Sequence, residues 1–343
     1  MNGIREWGPL DMKRSKKTIL SLTSIALFSM AGVSGCGQNP AQSKAAGDPV
    51  VHIGYVKILG EAPAIIGKDE GIFKKDGINA QFYAFANGPD LYKAMASQQI
   101  DIGYAGIPQA VAWGSRGMQI KVIANVESGQ FGLVTKSNAP EKTVADFRGK
   151  TIATVGPGSG NDILLRGFLL PEAHLTQKDV NIRVVPQQNM EAAIASGNVA
   201  AAMMGEPFLT FAELRNDKVL QTTPDPGLVV IATNNFLQSH PNLVNKFVQG
   251  HKDAIRFLKN HPQQANEDLA KEFNIAAIHT GTRNYTPEQV IAEARKDMHF
   301  TADFSPSDLN LYQKLADAVY RIGDIQKPFT VSSIIDSKYV QGN

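Results

Sequence analysis

The densest run of chemistry-bearing residues in this chain is Gly156-Pro157-Gly158-Ser159-Gly160-Asn161-Asp162, set between a strand-like segment and a helix-like one. Glycines let backbone N–H groups approach a bound group, and a helix N-terminus carries partial positive charge. The run could therefore hold a sulfonate, carboxylate or phosphate without a full counter-charge. Gly158 and Gly160 would supply the close approach, and Ser159 and Asn161 side-chain donors. The plainer alternative is a tight turn into a helix capped by Asn161 or Asp162. The run is not a P-loop, because the Gly-Lys-Ser/Thr ending is missing. Gly88-Pro89-Asp90 and Gly106-Ile107-Pro108-Gln109 are similar junctions. They could aim N–H groups at the same place, or simply start helices with proline in the first turn. Glu206, between Gly205 and Pro207, offers a carboxylate that suits an amino or other N–H group and repels a simple oxyanion; otherwise it is a solvated loop acid. Tyr55, Lys57, Tyr104, Glu127, Phe131 and Gln188 also fall near strand ends. Aromatics there could wall an organic ligand and Lys57 could neutralise an anion, or each could be core or surface.

Metal and nucleophile patterns are poor by comparison. The seven histidines show no His-Glu-x-x-His spacing, and the single cysteine, Cys36, has no second thiol to pair with. Gly158-Ser159-Gly160 lacks the frame of a Gly-x-Ser-x-Gly elbow. The expectation is a non-enzyme with no cofactor and no metal.

Strand-like segments are read at 50–55, 80–85, 100–104, 121–125, 131–135, 151–155, 182–185, 200–204 and 228–233. Helix-like segments are read at 62–70, 90–98, 108–116, 190–196 and within 162–171, with a short helical piece at 144–147. This alternation predicts parallel sheets with helical crossovers. From residue 240 the chain turns mostly helical, with an amphipathic stretch at 240–260 and further helices at 262–273, 287–296 and 307–322. Two α/β units followed by a helical tail predict two lobes, the chain crossing near Phe131–Lys136 and Val230–Thr233.

The N-terminal segment has its own logic. Lys13, Arg14, Lys16 and Lys17 precede an apolar run from Ile19 to Val33, followed by Val33-Ser34-Gly35-Cys36. A basic region, a short apolar region and small residues before a cleavage point make a secretory signal. The cysteine at that point resembles the lipobox of bacterial lipoproteins, which implies lipidation of Cys36. The expected division is a signal over 1–35, with 1–11 fitting no part of it if Met12 is the start, and a polar tether over 36–48. Five basic and two acidic residues lie before Cys36, which leaves 29 basic against 30 acidic residues after it. That balance gives no reason to expect nucleic acid as a partner.

The mature chain resembles the substrate-binding lipoproteins of ABC transporters. Within them it is similar to the branch that binds aliphatic sulfonates, nitrate, taurine and thiamine-precursor pyrimidines. The resemblance rests on Ile53-Gly54-Tyr55, on Lys68-Asp69-Glu70-Gly71-Ile72-Phe73, and on Gly88-Pro89 and Ile100-Asp101-Ile102-Gly103. It extends through Asp146-Phe147-Arg148-Gly149-Lys150-Thr151, Gly156-Pro157-Gly158-Ser159 and Gly205-Glu206-Pro207, taken in that order. It implies a two-lobed α/β periplasmic-binding-protein fold with mixed sheets, a two-strand hinge and a helical tail. Lobe 1 would comprise 49–132 and 232–343, and lobe 2 would comprise 133–231. It implies a ligand cleft faced by Glu206, a membrane permease and its ATPase as partners, and a monomer held at a bacterial membrane by lipid alone. Many relatives carry an aromatic where this chain has Met204. The ligand expected is a small organic anion or zwitterion, such as a sulfonate or taurine. The alternatives are a thiamine-related pyrimidine or other heteroaromatic, or an enzyme on the same fold.

Overall fold

The computed structural model describes residues 49–341 except 226 and 282. Cys36, the signal-like segment and the tether lie outside the described residues. Four strands come first: β1 (Val51–Val56), β2 (Ala80–Phe85), β3 (Ile102–Gly106) and β4 (Ile120–Ser128). Five more follow: β5 (Gln130–Thr135), β6 (Thr151–Thr154), β7 (Asn181–Val184), β8 (Ala201–Met204) and β9 (Lys218–Pro224). The chain then returns as β10 (Leu228–Thr233). A short pair, β11 (Ile278–Thr280) and β12 (Arg283–Tyr285), and a two-residue strand, β13 (His299–Phe300), complete the set. The first sheet has the order β13-β4-β10-β3-β1-β2 and the second β7-β6-β8-β5-β9.

Both sheets are mixed, whereas the β/α alternation predicts parallel ones. β1 runs parallel to β2 and β3, and β6 parallel to β7 and β8. β10 is antiparallel to β3 and β4, and β5 to β8 and β9. The reason lies in the two crossings. β4 leaves the first sheet at the same end where β10 re-enters beside it, so these neighbours must oppose, and the same holds for β5 and β9. The crossings also come earlier than expected. β5 begins at Gln130 and belongs wholly to the second sheet, so the first crossing is at Gly129. β10 is paired in the first sheet from Leu228 onwards, so the return precedes Val230. The two crossings are tied together, the Asp225 N–H donating to the Gly129 carbonyl at 2.9 Å.

Helices cover the faces. In the first unit, the helix Gly88–Ala96 is capped by Asn87, whose side chain accepts from the Asp90 N–H, and the helix Ile107–Gly114 begins with Pro108. The long helix Pro241–Asn260 buries Leu243, Val244, Phe247, Val248, Ala254, Ile255 and Leu258, the stripe that its 3.6-residue spacing dictates. Helix Pro306–Arg321 carries a Ser305/Asp308 capping box. Its buried face (Tyr312, Leu315, Ala316, Val319) joins a hydrophobic cluster that contains Ile120 and Val122 of the first sheet and Leu133 and Ile152 of the second. Among the described residues no helix is long and apolar enough to cross a membrane.

Candidate ligand-binding site

A cavity of about 680 Å³ opens between the two sheets. Its walls are the carboxyl ends of parallel strands, the usual place for ligands in open α/β sheets. Val56 ends β1, Phe85 ends β2, Gly106 ends β3 and Val184 ends β7, and all four line it. Phe85, Phe131, Phe208 and Phe273 supply aromatic wall, and Asn87, Gln109, Gln187 and Gln188 supply amides. Among the described residues, Lys57 and Glu61 are the only charged ones on the wall.

The glycine turn takes the expected place. Ser159, Gly160 and Asn161 line the cavity, and Gly156 (φ 134°) and Gly158 (φ 75°) adopt backbone angles that L side chains rarely tolerate. The helix cap, however, is Ser159 rather than Asn161 or Asp162, its side chain accepting from the Asp162 N–H. The side-chain donors are also engaged within the protein. The Ser159 hydroxyl faces the Gly156 carbonyl at 2.6 Å and Asn161 Oδ1 at 3.0 Å. Asn161 Nδ2 donates to Gln187 Oε1 at 3.2 Å and to the Met203 carbonyl at 3.1 Å. Asp162 accepts the Gly158 N–H at 2.8 Å and is in turn held by Arg166, which also grips Asp324 through two nitrogens at 3.0 and 2.8 Å. The nearby guanidinium is thus fully committed. What the turn leaves over are the Gly160 and Asn161 N–H groups, which have no partner among the described residues.

The other sequence candidates divide. Lys57, Gly88, Gly106 and Gln188 line the cavity; Tyr55, Pro89, Ile107, Gly158 and Glu206 do not. Tyr55 is buried beneath the wall, where its hydroxyl meets Lys68 Nζ at 3.2 Å and Glu272 Oε1 at 3.3 Å. Pro89 sits in the first turn of its helix and Ile107 is fully buried. Gly158 instead uses its carbonyl to accept Gln109 Nε2 at 2.6 Å. Glu206 turns back on its own helix, Oε2 accepting the Thr210 N–H at 3.2 Å, while its carbonyl accepts the Leu59 N–H at 3.1 Å. Loss of solvent pushes its carboxyl up to about 7, the Thr210 contacts opposing. Lys57 lies half-exposed, Nζ 3.5 Å from Glu272 Oε1.

Sequence reasoning passes over Glu61, which is wholly buried at the start of the helix Ala62–Asp69. Its Oε2 accepts the Val56 N–H at the end of β1, and its Oε1 has no partner among the described residues. Behind it lie two more buried acids, Glu127 at the end of β4 and Asp225 before β10. Gly60 makes room for this group. A Cβ there would stand 2.3 Å from Leu228 Cδ1 and 2.8 Å from Glu127 Oε1. Burial is the main cause that holds Glu61 and Glu127 well above the usual carboxylate range. Asp225 reinforces both shifts, and the Val56 N–H pulls Glu61 partly back. Burial likewise pushes Asp225 to about 7, against its bond from the Gly227 N–H at 2.9 Å. Among the described residues no group of three or more His, Cys, Asp or Glu side chains is arranged to hold a metal ion.

Against known proteins, residues 44–274 match the NMT1-like family. A protein of Brucella abortus named as a binding protein is 26% identical over 259 residues, covering 71% of this chain and 80% of that one. One of Escherichia coli named for binding aliphatic sulfonates is 24% identical over 271 residues, covering 76% and 80%. Among solved structures, the alkanesulfonate-binding protein SsuA from Xanthomonas axonopodis pv. citri, bound to MOPS, superposes with a TM-score of 0.70 at 20% identity. That superposition covers 85% of this chain and all of the other. The fold is therefore the mixed α/β fold of periplasmic binding proteins, as the resemblance in sequence implies.

Proposed function

Because the chain belongs to the NMT1-like family, we propose that it is the solute-binding component of an ABC importer. It captures a small organic anion or zwitterion in the cavity between the two sheets. The observation that carries this reading is the cavity itself. Its volume of about 680 Å³ suits a small molecule, it is bounded by strand ends of both sheets, and it mixes aromatic wall with amides and one cation, Lys57. The free N–H groups of Gly160 and Asn161 would meet the anionic end. The names of the Brucella and Escherichia relatives support a binding role over turnover.

In this reading the residues around each sheet act as lobes, near the expected 49–132 with 232–343 and 133–231 but with Gln130–Gly132 in the second lobe and Leu228–Ile231 in the first, moving about the paired crossings at Gly129 and Asp225. Closure follows ligand only if the ligand binds the closed form better. The closed monomer docks on a permease served by an ATPase. Lipid on Cys36 holds the protein outside the cytoplasm at a bacterial membrane, and Cys36→Ala should release it to the soluble fraction.

A second reading, a receptor for a thiamine-related pyrimidine or other heteroaromatic, is favoured by the four phenylalanines and by Glu61. One screen decides between them: the melting temperature of the protein with taurine, alkanesulfonates, aromatic sulfonates, nitrate, bicarbonate and thiamine-precursor pyrimidines. A ligand at 100 times its Kd should add about 2.7 kcal/mol of stability. A response to sulfonates or taurine supports the first reading, and one to pyrimidines alone supports the second. A flat panel removes the case for this ligand branch.

A further inference from the structure

Two buried polar atoms on the cavity wall have no partner among the described residues: Glu61 Oε1 and Gln109 Oε1. Glu61 is 0% exposed and Gln109 4%. The orientation of the Gln109 amide is set by chemistry. Its nitrogen lies 2.6 Å from the Gly158 carbonyl, which can only accept, so its oxygen must face away. Glu61 is pinned in the same manner, Oε2 taking the Val56 N–H and leaving Oε1 over. Buried polar groups without partners are costly and rare in native folds. Nothing on the wall repairs these two. The only cation there among the described residues, Lys57, is 46% exposed and within 3.5 Å of Glu272.

We propose that Glu61 and Gln109 are the specificity residues for a ligand that carries a protonated amine or amidine, whose N–H groups donate to Glu61 Oε1 and Gln109 Oε1. The inference rests on reading the cavity as a solute site, and it names the group that the site selects. The charge follows from the surroundings. Glu61 shares its buried neighbourhood with Glu127 and Asp225 from the two crossings, and with the uncharged phenols Tyr92 and Tyr104, both held neutral by burial. Lys57, four residues away on the same loop, is turned to Glu272. In this setting burial holds the Glu61 carboxyl well above the usual carboxylate range. An arriving ammonium supplies the missing counter-charge. The Glu61 proton leaves for bulk water, the ammonium keeps all of its own, and a charge-assisted hydrogen bond forms.

The test is isothermal titration of the full chain in mild detergent at neutral pH with two pairs matched in shape: taurine against ethanesulfonate, and benzylamine against benzyl alcohol. At least one amine should bind about tenfold or more tightly than its amine-free partner, the range of a buried hydrogen bond to a charged group. Binding should release about one proton, read from the dependence of the heat on buffer ionisation enthalpy. Glu61→Gln should abolish both the release and the preference. If that variant does not fold, proton release by the unaltered protein decides the matter. Ethanesulfonate or benzyl alcohol binding as tightly as its amine, or amine binding without proton release, overturns the inference and leaves the cavity a solute site. Heat from none of the four also overturns it, and the wider melting screen then decides separately whether the solute-site reading falls too.

Discussion

Gln109 Nε2, on a helix of the first sheet, donates to the Gly158 carbonyl, in a turn of the second sheet, at 2.6 Å. The bond joins the two sheets beside the cavity and ties the glycine turn to the first sheet's wall. It is a contact of the arrangement in which the two sheets approach, and it is lost if they part. Gln109→Met keeps the bulk but removes the donor. Since such a bond contributes about 1 kcal/mol, its loss should weaken binding of a ligand found in the screen about fivefold, and further for a ligand that also donates to Gln109 Oε1. Its radius of gyration without ligand, from small-angle scattering, should exceed that of the parent. An unchanged radius together with unchanged affinity would show that the bond does not bias the two sheets toward each other.

The buried acids give a pH dependence with a definite sign. Asp225 and Glu206 stand at about 7, raised from ordinary carboxylate values near 4. A group whose folded value is raised binds its proton more tightly in the folded state, so the stability it contributes is full below its unfolded value and is lost as pH climbs through its folded one. The melting temperature should therefore fall between about pH 4 and pH 7. Asp225→Asn keeps an acceptor for the Gly227 N–H, which donates to Oδ1 at 2.9 Å, and cannot ionise. That variant should melt several degrees higher than the parent at pH 8 and nearly with it at pH 4. A parent melting temperature that rises steadily from pH 4 to pH 7 would contradict this assignment.

Much of the framework was legible in local pattern, and what escaped was set by distant pairing. β2 and β10 fall where their apolar runs are read, and the stripe of helix Pro241–Asn260 follows its helical spacing. β9, Lys-Val-Leu-Gln-Thr-Thr-Pro, was missed because it is a half-exposed edge strand without clean alternation. The three-residue β11 and β12 are too short to show any period. Strand direction could not be read from the β/α alternation, because it depends on where β10 re-enters. At the site, the Gly156–Asp162 turn announced itself by composition. The engagement of Ser159 and Asn161 did not, since Gln187 and the Met203 carbonyl come from other elements. Glu61 is one acid among 32 Asp and Glu residues. Its burial arises only when the crossings carry Glu127 and Asp225 behind it. The one local clue was an acid at a strand-to-helix junction just before Ala62-Pro63.

Arg166 and Asp162 form the most deeply buried ion pair among the described residues, with side chains 8% and 3% exposed, and Asp324 closes the far side of the guanidinium. Asp162 also accepts the Gly158 N–H, so the pair holds the shape of the cavity turn from behind. Removing one partner strands a buried charge, at a cost of about 3–5 kcal/mol, whereas removing both charges together can be nearly neutral. Arg166→Met should therefore lower the melting temperature markedly and weaken binding of any ligand that rests on the Gly160 and Asn161 N–H groups. Adding Asp162→Asn to it should restore part of the stability, because the amide oxygen still accepts the Gly158 N–H and the carboxylate left without Arg166, Asp324, is 26% exposed and can be solvated. Thermal unfolding of the parent, both single variants and the double variant gives the coupling directly. If the two losses simply add, the pair is not acting as a unit and the turn is held by its backbone alone.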